Sequence, residues 1–244
     1  MDSGFYAACA GLRAQSQALE VSAHNLANLN TTGFRGQQVS FRSLIASARL
    51  NLPDVLNAAT NNFGVVEGSH LDLRSGSLLT TGNQLDVGIE GDGFFAIQTV
   101  RGTRYTRNGN LRVAQTGELT TAAGDPVLGE RGPIRIPAGA VSISADGTIS
   151  VNSAIAGKIR MVEFAPGTKV ISEGDARLSA PDGSTRPARA TSLRQGALES
   201  SNVNAIDGVM SLIAVQREAE MMQRALSLFH TEFNRIAAND LPHV

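Results

Sequence analysis

Three carboxylates stand close together in the middle of the chain: Asp86, Glu90 and Asp92, in the run LDVGIEGDG. Neighbouring carboxylates can divide acid and base work in hydrolysis. On an extended strand, however, alternate residues share a face. Asp86, Glu90 and Asp92 then lie opposite Leu85, Val87 and Ile89. That alternation accounts for them as the wet face of a half-buried strand. The glycines among them, Gly88, Gly91 and Gly93, read GxxGxG and not GxGxxG, and no helix follows. A phosphate cradle is therefore not expected.

The remaining chemistry-bearing types form no constellation. His24, His70, His230 and His243 are not spaced as metal ligands with one another or with the single cysteine. Cys9 makes no intramolecular disulfide and reads as a small apolar residue of a helix. No serine sits in a nucleophile elbow. Arg104, Arg107 and Arg112 with Tyr105 make a short basic–aromatic run, but the formal net charge is −1 over 244 residues. They are expected on a solvated strand face, and nucleic acid is not an expected partner. The reading is accordingly that of a non-enzyme, with no catalytic residue, no cofactor, no metal ligand and no small-molecule substrate. No apolar run is long enough to span a bilayer. The opening MDSGFYAACAGLRAQ lacks a basic stretch followed by a long apolar one, so no cleaved secretory signal is expected.

The elements behind these residues follow from periodicity. Phe5, Leu12, Leu19 and Leu26 recur every seven residues, which predicts an amino-terminal helix with one apolar stripe. It stops at AHNLANLNTTGFR, residues 23–35, where Asn28, Asn30, Thr31 and Thr32 compete for backbone hydrogen bonds. Gly33 can take the left-handed conformation that ends a helix, and Phe34 follows as an apolar anchor. Residues 36–68 read as an extended connector. From 69 to 192, short strand-like runs alternate with turn signals, including NG at 108–109, TG at 116–117 and DG at 146–147 and 182–183. That pattern predicts an antiparallel β domain. Residues 193–244 are read as a carboxy-terminal helix with its lead-in, which Asn202 or Asn204 could cap. One seam runs Leu212, Ala219, Leu226, Phe233 and a second, offset by three, runs Val215, Met222, Phe229, Ile236.

The expected fold class is α+β: two heptad-patterned terminal helices in a coiled-coil-like bundle, with a central antiparallel β domain. An isolated amphipathic helix is marginal in water, so both seams need partners. Either the two helices satisfy each other, or they also pack on neighbouring subunits and build an open polymer.

Four stretches carry a family resemblance, in order and spread over nearly the whole chain. AHNLANLNTTGFR resembles the amino-terminal signature of the flagellar rod and hook proteins, through Asn25, Leu26, Ala27, Asn28, Thr32, Gly33 and Phe34. GIEGDGFFAI is similar to that family's central motif, through Gly91, Asp92, Gly93, Phe94 and Phe95, and YTRNGNLRVAQTGELTTAAGDPVLG to its following hairpins. GALESSNVNAIDGVMSLIAVQREAEMMQRAL resembles its carboxy-terminal helix and lead-in, through Ser201, Asn202, Val203 and Asn204. His24 stands where Asn is usual, and ALSLFHTEFNRIAAND departs from the usual ending. PVLGERGPIRIP and ISADGTISVN are similar to the proximal-rod branch, with the distal rod as the alternative. The resemblance implies a structural subunit of the basal-body rod, exported by the flagellar type III apparatus and carrying torque across the periplasm. It implies contacts with copies of itself and with other rod proteins, and it leads the amide-rich stop to be read as fixing the angle between helix and outer layer. Two other classes compete: a secreted β-rich binding module with helical ends, and a hydrolase built on Asp86, Glu90 and Asp92.

Overall fold

The computed structural model describes residues 2–42 and 65–240. It is an α+β chain whose described strands pair antiparallel in every register seen. Helix α1 spans Asp2–Ala27 and helix α2 spans Ala205–Asp240. The chain divides into two units.

The first unit holds α1 as far as Leu26, residues 37–69 and α2. Where a connector was expected, Gln37–Arg42 and Val65–Leu71 form a two-stranded sheet; residues 43–64 lie outside the described set. Asn25 braces the first of these strands. Its Oδ1 accepts from the Gln37 amide at 2.8 Å and its Nδ2 donates to the Gln37 carbonyl at 2.7 Å. Along α2, Gly208, Leu212, Val215, Ala219, Met222 and Leu226 are half-buried at alternating spacings of four and three, the period of a helix stripe. On α1, Ala14 and Ala18 are buried and Leu12, Leu19 and Leu26 half-buried. Gln15 Nε2 donates to the Val215 carbonyl at 3.0 Å and to Glu218 at 2.7 Å. The side chains of Phe5, Phe229, Phe233 and Ile236 lie outside the described set.

The second unit comprises residues 27–36 and 70–204. Its largest sheet has six strands, in the order Ile171–Ser172, Leu178–Ser179, Gly102–Thr106, Phe94–Thr99, Met161–Phe164, Thr185–Pro187. Phe95, Ile97, Leu119, Val127, Ile149 and Ile159 centre its main core, each at most 2% exposed. A smaller cluster joins Phe94, Val162 and Leu178, with Tyr105 edge-on to Phe164 at 5.3 Å.

Strands continue past residue 192. Ser192–Gln195 pairs with Val87–Glu90, and Ala197–Glu199 pairs with Leu78–Thr80. Leu193, Ala197 and Glu199 are buried while Arg194 is exposed, so this lead-in follows the strand period and α2 begins only at Ala205. Of the expected turns, those at Gly117, Gly147 and Gly183 have φ between 75° and 87°. Asn108–Gly109 is not a hairpin turn. The Val87 amide donates to the Gly109 carbonyl at 3.0 Å, and a Cβ at Gly109 would overlap the Val87 carbonyl group. Glycine is needed there for backbone approach, not for a left-handed φ.

Candidate functional site

The three carboxylates do not share a wet face. Asp86 is buried at 4% exposure, whereas Glu90 and Asp92 are exposed. Val87, Gly88 and Ile89 are all buried, so both sides of this strand are covered and alternation does not report solvent. Asp86 is a structural acceptor: Thr81 Oγ1 donates to it at 2.7 Å, Asn83 Nδ2 at 3.1 Å and Asn110 Nδ2 at 3.2 Å. Glu90 stands 4.0 Å from Arg194. Nothing in this arrangement aims two carboxylates at one point. Among the described residues, no group of three or more His, Cys, Asp or Glu is placed to hold a metal ion. None of the described helices is long and apolar enough to cross a membrane.

The basic–aromatic run also separates. Arg112 is exposed, and Arg104 pairs with Glu173 at 2.9 Å. Arg107, expected in solvent, is 1% exposed. Its Nη1 lies 3.2 Å from both oxygens of Glu199 and 2.9 Å from Ser75 Oγ, and its Nη2 donates to the Gly91 carbonyl. Its guanidinium carbon stands 4.7 Å from the centre of the Phe94 ring, a cation–π distance.

Glu199 is the centre of a dry ionic cluster. Its Oε1 accepts from Arg35 Nη2 at 2.6 Å and from the Gly76 amide at 2.7 Å. The side chains of Arg35, Arg107 and Glu199 are all at most 1% exposed. Burial lowers the Arg35 guanidinium from its ordinary value; Glu199 opposes that shift, and Arg107 adds to it. Two guanidinium groups share one carboxylate, and among the described residues the Nε atoms of both arginines meet no acceptor. Around this cluster the Gly33 amide donates to the Glu199 carbonyl at 2.8 Å, and Phe34 is buried. Gly33 has φ of 68°. Asn202 does not cap α2. Its Oδ1 accepts from the Gly36 amide at 2.8 Å, and its Nδ2 donates to the carbonyls of Asp72 and Arg74 at 2.8 and 3.0 Å. Asn204 stands directly before α2.

The motif residues are thus only partly brought together. Gly33, Phe34, Gly91, Phe94 and Asn202 surround the Glu199 cluster. Phe95 belongs to the main core and Asp92 is exposed. Ser201 Oγ accepts from the Val203 amide at 3.2 Å. Leu26 and Thr32 are half-buried, Ala27 is exposed, and Thr31 Oγ1 donates to Asn28 Oδ1 at 3.1 Å. Arg35 and Glu199 carry no expected role and Arg107 only that of a solvated face, although each lies within or beside a motif stretch. A charged residue standing inside such a stretch was the available signal.

Buried charges tie distant segments of the second unit together, and the two long helices carry apolar stripes, both features of architecture. Three family models match in chain order: the flagella basal body rod protein over residues 5–35, the flagellar hook protein FlgE/F/G D1 domain over 88–151, and the flagellar basal body rod FlgEFG protein C-terminal region over 194–230. Similar relatives include the flagellar basal-body rod protein FlgF of Escherichia coli, 37% identical over 93% of this chain and 94% of its own length. FlgF of Salmonella typhimurium is 35% identical over the same shares, and the rod protein FlgG of Bacillus subtilis is 33% identical over 87% and 89%. The chain belongs to the flagellar basal-body rod protein family, most like FlgF with FlgG behind it. That family is structural and not enzymatic, and its place is the rod of the flagellar basal body.

Proposed function

We propose that this chain is a proximal-rod subunit that polymerises through its terminal helices and transmits torque across the periplasm. The observation that carries this reading is the two-sided apolar character of α2. One side, with Leu212, Val215, Ala219, Met222 and Leu226, is half-buried within the chain. Elsewhere on the helix Ile206, Met210, Ile213, Met221 and Leu228 are 46–70% exposed. Ile206 and Ile213, like Met221 and Leu228, are one heptad apart, so apolar rows remain for further helices to cover. Repeated head-to-tail, such contacts give an open helical polymer.

In this reading α1 and α2 form a coiled-coil-like bundle along their seams, supported by the two hydrogen bonds from Gln15. Phe5, Leu12, Leu19, Leu26, Phe229, Phe233 and Ile236 extend the same seams toward neighbouring copies. Close-packed seams resist sliding and twisting, which suits torque transmission. Other rod proteins and the flagellar type III export apparatus are its remaining partners. The relatives named FlgF, at 35–37% identity against 33% for the FlgG relative, favour the FlgF-like reading over the FlgG-like alternative.

The test is complementation of a strain lacking this gene, combined with sedimentation of purified protein. Met221→Asp with Leu228→Asp should abolish assembly and swimming while leaving helix content and β-unit stability unchanged. Leu212→Asp or Leu19→Asp should block assembly by breaking the seam, again with the β unit folded. Normal assembly of the Met221/Leu228 double variant would sink the exposed-face reading. Loss of the β unit's fold in the seam variants would contradict the division of labour.

A further inference from the structure

Glu199 and Asn202 sit three residues apart, just ahead of α2. Between them they hold the stretches beside three of the four points where the chain passes between the units, the fourth being Leu26–Ala27. Gly36 precedes Gln37, where the chain passes into the first unit. Asp72 follows closely on His70, where it returns, and Asn202 closely precedes Ala205, where it leaves again. Glu199 binds Arg35 of the first stretch and the Gly76 amide of the second. Asn202 binds the Gly36 amide of the first and the Asp72 and Arg74 carbonyls of the second. The Asp72 amide in turn donates to the Gly36 carbonyl at 2.8 Å. Arg107 closes the set from the strand side, held to Glu199 and to Ser75.

We propose that Glu199 and Asn202 form a two-point lock that makes residues 33–36, 72–76 and 199–202 a single opening unit, distinct from the β core, through which load from the helices enters the β unit. The mention of load rests on the rod reading; the lock itself does not. Each point alone spans all three stretches, so neither can release one stretch without loosening the others. Water does not reach the ionic point. Neutralising Glu199 leaves two buried guanidinium groups unpaired, and that cost falls on the stretches that carry them. These polar contacts reach the six-stranded sheet only through Arg107, which directly follows the strand Gly102–Thr106. Local opening units separate where such contact sets separate.

Hydrogen exchange of the full-length protein reads this directly. Four amides report the lock: Gly33, Gly36, Asp72 and Gly76. Leu119, Val127, Ile134 and Ile159 report the core, since their amides are bonded within it. Glu199→Gln should speed exchange at all four lock amides together, on the order of 100-fold, with core amides unchanged. Asn202→Ala is the sharper variant, because Asn202 does not touch Gly76. If Gly76 speeds up together with Gly36, the stretches open as one. If only Gly36 responds, or if the core amides accelerate equally, the lock is overturned. Should Glu199→Gln fail to fold, Asn202→Ala still decides. For the load, cells carrying Asn202→Ala should swim normally in dilute medium and slow disproportionately as viscosity rises. Equal slowing with the parent strain would overturn the load role. Exchange reads the lock whether or not the chain polymerises, and sedimentation reads polymerisation whether or not the lock holds, so the two readings fail separately.

Discussion

Gly33 lies against the backbone of Arg107. A Cβ at Gly33 would stand 2.7 Å from the Arg107 carbonyl oxygen and would overlap the peptide joining Arg107 to Asn108. The φ of 68° at Gly33 is itself unfavourable for any side chain. The glycine of the amide-rich stop therefore does more than end a helix. It lets the stop lie directly on the segment after Gly102–Thr106 that carries a buried arginine.

Gly33→Ala should lower the unfolding free energy of the second unit by about 2–4 kcal/mol, combining left-handed strain with overpacking. Gly33→Val should cost more and disturb rod assembly. Urea unfolding followed by near-ultraviolet signal measures the first, and complementation the second. Unchanged stability and assembly in both variants would remove the stop from any positioning role.

Asp86 is a structural acceptor, and its replacement should read as such. Asp86→Ala leaves Thr81, Asn83 and Asn110 without their shared acceptor and should cost about 1–3 kcal/mol. Asp92→Asn, on an exposed residue, should be within about 0.5 kcal/mol of the parent. Chemical denaturation of the two variants in parallel gives the comparison. A hydrolytic activity that disappeared in Asp92→Asn would revive the enzyme reading.

Acid should weaken the region around Asp72. Hydrogen bonds from Arg74, at 2.6 to 3.0 Å, hold the Asp72 carboxyl below its ordinary value. Its folded-state pKa is depressed, so its contribution is complete above the ordinary Asp value of about 3.9 and is lost as pH falls through the lower folded value. Stability measured from pH 5 down to pH 2.5 should fall less steeply in Asp72→Asn than in the parent. Identical slopes would show that this pair contributes nothing, as is common for exposed ion pairs.

Gln15 links the helices by polar contacts, and Gln15→Ala should cost about 0.5–1.5 kcal/mol in the first unit alone. Hydrogen exchange along α1 and α2 should quicken while the strands around Ile149 stay protected. Protection lost in both units would tie the helices to the β core energetically.

Local patterns were legible in the sequence where the determining contacts repeat along the chain. The half-buried positions Leu212, Val215, Ala219, Met222 and Leu226 were readable because a helix imposes its period on one face. The antiparallel β region was readable from its turn glycines. Asp86 was misjudged because alternation marks solvent only when one side of a strand is bare, and here both are covered. Arg35, Arg107 and Glu199 escaped because their burial depends on three distant stretches meeting, which no period encodes. Thr81 and Asn83, polar neighbours flanking Asp86, were the local hint that this carboxylate has protein partners.

The Arg35–Glu199 pair joins residues 164 positions apart in the sequence. A chain synthesised from its amino terminus presents Arg35 early and Glu199 only when four-fifths of it exists. Until then the guanidinium has no carboxylate to enter the interior with, and the GFR turn has nowhere dry to settle. Such long-range closure is slow relative to helix formation. The attachment point is therefore among the last features to mature, and a chain truncated before Glu199 never acquires it.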